Sequence, residues 1–247
     1  MYIFDLYAEK EIPLCSMCVK VAFMIWEMFD RIANRYDLLN RLLSLRNDVK
    51  WRKKIACNLS EQDCQKILDI ATGTADVLLA LFQNSDKPAY GIGVDMAKNM
   101  LKIGRNKIKH LGNIHLFPAD ALNLPFPSQT FDAVTIAFGI RNIPQFRPAL
   151  AEMYRVLKPR GKVIILEFSL PQNFVIRTAY LYYFRKILPR IGGLVSGDYQ
   201  AYRYLNASVE AFPFGCEFAE ILRQIGFSAV KVDPLTFGIA SVYSGEK

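Results

Sequence analysis

Short apolar stretches alternate with longer amphipathic segments over most of the chain. Seven of the apolar stretches have the length and composition of strands: residues 66–71, 89–94, 113–117, 131–137, 162–168, 228–233 and 237–243. Helix-length segments separate the first five, which predicts a doubly wound, mostly parallel, Rossmann-like α/β sheet of seven strands. Only Pro234, Leu235 and Thr236 separate the last two, too few residues for a crossover helix, so we expect an antiparallel C-terminal hairpin.

Two stretches fall outside this alternation. Residues 21–57 have a helical pattern, and residues 172–215 are rich in aromatic side chains. Both flank the sheet in sequence, and we expect them to form a helical cap over the carboxyl ends of the strands. The chain has no internal repeat and no linker-like tract, so we predict one domain over residues 21–247, preceded by an N-terminal extension, residues 1–20.

The apolar run from Val21 to Phe29 does not have the features of a targeting segment. It is nine residues long and includes Glu27, whereas a helix that spans a bilayer needs about 20 apolar residues. Acidic residues precede the run, whereas a signal peptide begins with basic ones. We therefore expect no membrane-spanning or export segment here. The five cysteines form no dense, evenly spaced framework, which fits a reducing cytoplasm better than secretion, so we expect a cytoplasmic protein.

Composition narrows the class of protein only modestly. In 247 residues, 52% are hydrophobic, which is ample for a buried core, and the net charge is +8. That charge would attract nucleic acid, anionic lipid or a phosphorylated substrate alike. Cys15 and Cys18 form one C-x-x-C pair, but His110 and His115 lie far from it, so we predict no metal site.

The segment LDIATGTAD (68–76) has the pattern of a strand, a glycine turn and the start of a helix. Ligands of open α/β sheets bind where strands end in this way. A dinucleotide site would have G-x-G-x-x-G, but after Gly73 the second and third glycines are replaced by Ala75 and Leu78. The turn is therefore typical of a site for an adenosyl group without a pyrophosphate.

Two acidic residues follow the next predicted strands. Asp95 comes about twenty residues after Gly73, where a carboxylate can accept hydrogen bonds from both ribose hydroxyls. Alternatively, Asp95 caps the helix that begins at Ala97. Asp120 can accept the adenine amino group while the Ala121 amide meets the ring, or it can simply start a turn.

Several segments together resemble the quinone-biosynthesis C-methyltransferases. They are LDIATGTAD, GVD (93–95), ADALNLPFPSQTFDAVTIAFGIRNI (119–143), ALAEMYRVLKP (149–159), LEFSLP (166–171), LPRIGGLVSGDYQAYRYL (188–205) and MFDRIANRYDLLNRLLSL (28–45). FGIRN, LEFS and YRYL are the most specific. The resemblance implies a class I methyltransferase domain that transfers a methyl group from S-adenosylmethionine to a ring carbon of demethylmenaquinol, or of a ubiquinone precursor.

The resemblance also assigns cofactor-binding residues and shows two departures from the family pattern. Matched by motif, the cofactor residues are Gly73, Thr74, Asp95, Asp120 and Ala121, with Ala137 at the end of the fourth strand. Ala75 stands where the family usually has glycine, which costs of order 1 kcal/mol if the position needs a positive φ. Arg160 replaces the first glycine of the usual KPGG turn and affects a loop.

Methylation of an aromatic carbon needs an electron-rich ring, which a hydroquinone provides when one hydroxyl ionises. Populating a phenolate at neutral pH costs roughly 4 kcal/mol, because a phenol has a pKa near 10. Arg141 after the fourth strand is our candidate for stabilising that charge, and Asn142 for orienting the second ring oxygen; without the resemblance, Arg141 would be taken for a surface cation. The candidates for the proton acceptor are Tyr36, Asp37 and Asp198.

The implied substrate has a polyprenyl tail, so the protein must meet a membrane. Residues 174–195 combine apolar and aromatic side chains with only basic charges, which suits an interfacial helix near anionic lipid and equally suits a cap helix whose aromatics are core. The basic residues between Lys98 and Lys109 are expected to form the solvated face of a helix. We predict peripheral membrane contact and no nucleic-acid partner, with a homodimer left open. The alternatives are benzoquinol methylation, an RNA methyltransferase and a non-catalytic quinone-binding protein.

Overall fold

A computed structural model describes residues 16–59, 66–83, 90–190 and 199–247. Its helices are α1 (Ser16–Leu43), α2 (Asn47–Leu59), α3 (Asp76–Gln83), α4 (Lys98–Ile108), α5 (Phe146–Val156), α6 (Phe174–Tyr182), α7 (Tyr199–Ala211) and α8 (Cys216–Ile225). Its strands are β1 (Lys66–Ile70), β2 (Tyr90–Val94), β3 (Ile114–Phe117), β4 (Phe131–Ala137), β5 (Leu157–Phe168), β6 (Ser228–Leu235) and β7 (Ala240–Glu246). Cys15 and most of the predicted N-terminal extension lie outside the described residues.

The seven strands form one sheet in the order β3-β2-β1-β4-β5-β7-β6. The first five are parallel, and β7 runs antiparallel to both β5 and β6, which confirms the predicted fold class. Parallel strands covered on both faces lack polar alternation, and the last four residues of β1 and of β2 are accordingly buried. This strand order in the sheet places the carboxyl ends of β2, β1 and β4 side by side.

Each face of the sheet carries its own hydrophobic core. On one face α5 and α8 pack against it through Leu150, Met153, Phe218 and Leu222. On the other face α2, α3 and α4 pack through residues such as Ile55, which is fully buried. A sheet with helices on both faces is the doubly wound arrangement.

A third cluster of buried side chains joins the helices outside the sheet. Tyr180 and Phe184 stack at 5.0 Å between ring centroids and pack with Leu188 and Val209, while Met28 of α1 packs against the same cluster. Helical structure continues from α6 through a π-helical turn, Tyr183–Ile187, to residue 190. These elements lie in the two segments predicted as the helical cap. No helix among the described residues is both long and apolar enough to cross a bilayer.

The last three predicted strands differ from the structure by two or more residues at one or both ends. The fifth strand begins at Leu157 rather than residue 162, because Leu157 already pairs with Phe131 before a bulge in the ladder. The seventh strand is Ala240–Glu246 rather than 237–243, because Thr236–Gly238 form a 3₁₀ turn with Phe237 at φ 59°. Pro234 and Leu235 consequently belong to β6 and not to the connection.

Candidate active site

The turn after β1 is held in an unusual backbone conformation. Ala71, Gly73 and Ala75 have φ values of 49°, 55° and 64°. Positive φ is strained for alanine, so Ala75 carries the cost that the sequence analysis made conditional on this angle. A Cβ added at Gly73 would meet no heavy atom of the described residues within 4 Å, so open space adjoins the turn at this position. A ligand can therefore approach the Gly73 backbone closely.

The Asp95 carboxylate joins the β1 turn to the start of α4. Its Oδ2 accepts a hydrogen bond from Gly73 N at 2.8 Å, and its Oδ1 accepts one from Ala97 N at 2.8 Å. Burial raises the pKa of Asp95, the two backbone hydrogen bonds oppose this rise, and the charge of Asp30 adds to it. The carboxylate accepts a hydrogen bond from the backbone of Ala97, the N-cap residue of α4, and Asp95 also lines a cavity, so its contact with the start of the helix leaves it within reach of a ligand.

A smaller cavity of about 110 Å³ lies over the carboxyl ends of β1, β2 and β4. Five of the six predicted cofactor residues line it: Gly73, Asp95, Asp120, Ala121 and Ala137. Asp120 follows β3 by three residues and its Oδ1 accepts a hydrogen bond from Leu122 N at 2.9 Å. Trp26 and Phe29 of α1 line the same cavity, so an element outside the sheet covers the strand ends.

Thr74 is the sixth predicted cofactor residue, and it does not line this cavity. Neither Thr74 nor Asp37 lines the larger cavity next to it. The Thr74 hydroxyl donates to Asp37 Oδ1 at 2.7 Å, and Lys107 Nζ lies 2.5 Å from Asp37 Oδ2 and 2.6 Å from Asp76 Oδ1. This network ties α1 and α4 to the β1 turn. Lys107 is therefore partly buried in ion pairs rather than on a solvated face, because α1 packs over that part of α4.

A larger cavity of about 510 Å³ adjoins the smaller one, and the two share Phe29, Tyr36 and Phe138 in their walls. Its lining is mostly apolar and comes from α1, α2, the α6 segment and α7. Its aromatic side includes Phe138 and Phe168, whose ring centroids lie 4.5 Å apart, and Trp51, 6.0 Å from Phe138. A planar, largely apolar molecule matches a cavity of this kind.

Arg141 lines the larger cavity and is only 4% exposed. Its Nη1 lies 2.6 Å from Glu167 Oε1 and donates to Phe138 O at 2.8 Å, while the guanidinium carbon stands 5.2 Å from the Phe168 ring centroid. Burial raises the pKa of Glu167, and the charge of Arg141 opposes the rise. Arg141, the cation predicted to stabilise the phenolate, is thus buried in the cavity wall. Its partner Glu167 was not among the predicted site residues.

Asn142 lines the smaller cavity, on the other side of the turn from Arg141. Its Nδ2 donates to Phe138 O at 3.1 Å, and its Oδ1 accepts a hydrogen bond from the Tyr204 hydroxyl at 3.2 Å. Tyr204 belongs to α7 and lines the larger cavity. Asn142 is therefore held by the β4 turn and by the cap together.

The three candidate proton acceptors have different surroundings. Tyr36 lines both cavities, but burial raises the pKa of its phenol, so it is protonated at neutral pH and suited to donate a hydrogen bond rather than to act as a base. Asp37 is paired with Lys107 as described above, and Asp198 lies outside the described residues. One carboxylate that was not predicted does line the larger cavity: Asp48 of α2, which is 3% exposed.

Asp69 of β1 is a fully buried carboxylate next to this site. Its Oδ1 accepts a hydrogen bond from the Thr135 hydroxyl at 2.6 Å. Burial raises its pKa from 3.8 to about 7, with hydrogen bonds from Thr135 and Thr72 opposing the rise and the charge of Asp95 adding to it. The sequence marked this position only as part of a strand.

Asp69 should make stability depend on pH. Because its pKa is higher in the folded than in the unfolded chain, its stabilising contribution is full below about pH 4 and is lost as pH rises through 7. Between pH 4.5 and 7.5 the free energy of unfolding of the native chain should fall, relative to Asp69→Asn, by on the order of 3 kcal/mol. Urea unfolding of both proteins measures this, and equal pH slopes would contradict it.

A glycine turn after β1, acidic residues after β2 and β3, and a seven-stranded sheet with β7 inserted antiparallel define the class of S-adenosylmethionine-dependent methyltransferases. Solved structures agree on the fold. A S-adenosylmethionine-dependent methyltransferase of Thermotoga maritima, described as a possible histamine N-methyltransferase, has a TM-score of 0.64 at 20% identity and covers 90% of this chain and 99% of its own. A Haemonchus contortus phosphoethanolamine N-methyltransferase in complex with S-adenosylmethionine has a TM-score of 0.54 at 17% identity, covering 74% of this chain and 48% of its own.

The chain belongs to the ubiE/COQ5 methyltransferase family, whose model matches residues 17–247. Demethylmenaquinone methyltransferase of Thermus thermophilus is 46% identical over 221 residues, 89% of this chain and 100% of the relative. The enzyme of the same name from Geobacillus kaustophilus is 40% identical, over 90% of this chain and 96% of the relative. Ubiquinone/menaquinone biosynthesis C-methyltransferase UbiE of Geobacter sulfurreducens is 43% identical, over 90% and 88%.

The residues around the smaller cavity fit the cofactor of this class. The open space at Gly73 would admit the amino-acid part of the cofactor close to the backbone, and the Asp95 carboxylate, which already accepts two amide hydrogen bonds, would have lone pairs left for the ribose hydroxyls. Asp120 is the other acidic residue in the lining of this cavity. Apolar side chains such as Met100 line it as well, and they suit an adenine ring. When bound, the cofactor supplies a methyl group on a positively charged sulfur.

Proposed function

We propose that this methyltransferase converts demethylmenaquinol to menaquinol by methylating a ring carbon. The observation that carries the proposal is the large aromatic cavity that adjoins the cofactor cavity, with Arg141 in its wall. A bicyclic quinol suits the flat, apolar surface of Phe138 and Phe168, and the names of the most similar relatives described above support the naphthoquinol ring. A polyprenyl benzoquinol of ubiquinone biosynthesis is the second candidate, because relatives carry that name too.

In this proposal the chain's own residues prepare the ring for attack. Arg141 stabilises the oxygen that ionises, and its pairing with Glu167 fixes the guanidinium in place. Because Glu167 neutralises part of the charge, Arg141 acts more by a fixed, oriented hydrogen-bond donor than by a free cation. Asn142 lines the cofactor cavity and not the ring cavity, so in this proposal it orients the second ring oxygen through Tyr204, whose hydroxyl it holds. Tyr36 lies where the two cavities meet.

The test is transfer of labelled methyl from S-adenosylmethionine to chemically reduced demethylmenaquinone in detergent, without oxygen. A reduced ubiquinone precursor and bulk RNA run in parallel. We expect product with the naphthoquinol at a kcat/KM at least about tenfold above that with the benzoquinol, since the larger ring buries more surface. Label only in the benzoquinol or the RNA would contradict the proposed substrate, and label in neither, with cofactor bound, would favour a non-catalytic quinone-binding protein.

We further propose that the protein binds the membrane surface peripherally, at the cytoplasmic face. Along α6 and the π-helical turn that follows it, the side chains divide into two sets. Tyr180 and Phe184 are buried in the cap, whereas Phe174, Val175 and Tyr182 are exposed. The two alternatives raised by the sequence thus apply to different faces of one segment. Arg177, Lys186 and Arg190 are exposed nearby, although Arg185 pairs with Glu210 and its charge is partly neutralised.

Sedimentation with lipid vesicles tests this contact. Binding to phosphatidylglycerol vesicles should exceed binding to phosphatidylcholine vesicles and fall at least about fivefold in Phe174→Asp/Val175→Asp, because two apolar anchors are replaced by charges that anionic lipid repels. Phe23→Asp/Met24→Asp on α1 is the matched control and should bind like the native chain. Equal binding by all three proteins would contradict the proposal.

The homodimer stays a prediction, to be checked by sedimentation velocity.

A further inference from the structure

The carboxylate of Asp48 lies in the wall of the larger cavity and has no part in the mechanism so far. It is the first-turn acid of α2 and is almost completely buried. Ser44, Asn40 and Tyr36 line the same cavity, so one part of its mostly apolar wall is polar. A buried carboxylate facing an apolar substrate cavity needs either a structural or a chemical reason.

The surroundings of Asp48 hold the carboxylate in one orientation, beside a buried cation. Its Oδ2 lies 2.5 Å from Arg52 Nη1, and its Oδ1 accepts a hydrogen bond from the Ser44 hydroxyl at 2.8 Å. Arg52 is itself buried and lies 4.0 Å from Asp76 Oδ2. The pair is therefore anchored on the protein side, while Asp48 keeps contact with the cavity.

The Asp48–Arg52 pair and the Arg141–Glu167 pair flank the same aromatic surface. The guanidinium carbon of Arg52 is 5.8 Å from the Phe138 ring centroid, and that of Arg141 is 5.2 Å from the Phe168 ring centroid. The phenol of Tyr36 is influenced by the charges of both arginines. A ring bound against Phe138 and Phe168 thus has an arginine–carboxylate pair near each of the two phenylalanines.

We propose that Asp48 is the general base that accepts the hydroxyl proton of the quinol. This inference rests on the proposed function. The O–H bond of the ring hydroxyl breaks and its proton bonds to the Asp48 carboxylate, which leaves a phenolate. The ring carbon's electron pair then forms the bond to the transferred methyl carbon, and the bond from that carbon to sulfur breaks with its electrons on sulfur. The ring hydrogen leaves as a proton to water, and the product phenolate takes back the proton from Asp48, so one proton is released per turnover.

Asp48 suits this task better than the three acceptors that the sequence suggested. Tyr36 is protonated at neutral pH, and Asp37 is turned toward Lys107 and Thr74, away from both cavities. Asp198 lies outside the described residues. The Asp48 carboxylate is oriented by Ser44 and belongs to a residue of the cavity wall, which is the placement that a base needs.

The experiment compares methyl transfer by the native chain and by Asp48→Asn over pH 6.5–9.5, with reduced demethylmenaquinone and without oxygen. Asparagine keeps the shape and an acceptor for Ser44 but cannot take a proton. At pH 7 we expect turnover to fall about 10²- to 10⁴-fold, the usual effect of losing a general base. The deficit should shrink about tenfold per pH unit, because the quinol increasingly ionises by itself as pH approaches its pKa near 10.

Matched variants separate a base from a structural residue. Asp48→Glu should restore turnover to within about tenfold, since it returns a carboxylate to the cavity wall. Asp132→Asn is the control. Asp132 pairs with Lys158 at the start of β4, whereas the cavities lie at the end of that strand, so turnover should be unchanged. If Asp48→Asn fails to fold, Asp48→Asn/Arg52→Met removes both buried charges and carries the same expectation.

Each outcome has a distinct meaning. Full turnover of Asp48→Asn at pH 7 would overturn the proposal, as would a deficit that is the same at pH 7 and pH 9, which is the signature of a structural role. Absence of methyl transfer by the native chain, with every quinol and with cofactor bound, would instead overturn the proposed function. A deficit that shrinks with pH supports Asp48 as the base.

Discussion

Replacing Arg141 by alanine should lower methyl transfer by about 10³-fold while cofactor affinity stays within about threefold. The rate effect corresponds to the roughly 4 kcal/mol needed to populate a phenolate at neutral pH, which the variant can no longer offset. The affinity should persist because Arg141 lines the larger cavity and not the smaller one. Steady-state rates with reduced demethylmenaquinone and calorimetric titration with S-adenosylhomocysteine measure the two quantities.

Arg141→Ala also leaves Glu167 without its buried cation, and we expect a loss of about 3–5 kcal/mol in the free energy of unfolding. The variant Arg141→Met/Glu167→Gln removes both charges at similar volume and should recover most of that stability. Its turnover should remain as low as that of Arg141→Ala. Recovery of turnover together with stability would show that Arg141 acts only by holding the turn, and unchanged turnover in Arg141→Ala would remove it from the mechanism.

Replacing Asp95 by alanine should weaken cofactor binding by about 10²-fold or more. Hydrogen bonds to a charged group contribute about 1.5–3 kcal/mol each, and the proposed ribose contacts number two. The variant also loses the carboxylate that joins Gly73 N to Ala97 N, so part of the loss would come from a looser turn. Asp95→Asn keeps one acceptor oxygen, so its cofactor affinity should lie between that of the native chain and that of Asp95→Ala.

A ligand change separates ribose recognition from turn stability. The 2′-deoxy analogue of S-adenosylhomocysteine should bind the native chain about tenfold or more weakly than the parent compound. Asp95→Ala should bind both compounds equally, because the group that distinguishes them is gone. Asp132→Asn, a carboxylate far from the cavity, should discriminate like the native chain. If Asp95→Ala still distinguished the two ligands, the carboxylate would not be the ribose-binding group.

Much of the cofactor region follows from sequence because its determinants are local. Buried parallel strands appear as apolar runs, so β1 to β4 were placed within one residue of their observed ends. Once those strands are parallel neighbours, their carboxyl ends meet at one edge, and Gly73, Asp95 and Ala137 must come together there. The cost at Ala75 could be anticipated only through the resemblance to a family that usually has glycine there, and the structure supplies the positive φ on which it depends.

Other boundaries depended on pairing rather than on local pattern. The residues before 162 are polar and read as a turn, yet Leu157 joins the sheet because Phe131 of β4 offers it a partner across a bulge. Phe237 reads as a strand residue by composition but sits exposed in a 3₁₀ turn. A hydrophobic residue does not declare by itself whether a neighbouring strand is available to cover it.

The chain's sequence by itself determined the α/β sheet, the antiparallel C-terminal strands and the position of the cofactor turn. Only the tertiary structure decided which charges pair: Arg141 with Glu167, Asp37 with Lys107, and Asp48 with Arg52 beside the larger cavity. The physical reason is that strand and turn propensities act over a few residues, whereas burial of a charge requires a partner from whatever element packs opposite. This packing pairs Asp37, a base candidate from the sequence, with Lys107, and it leaves Asp48, which the sequence did not indicate, in the wall of the larger cavity.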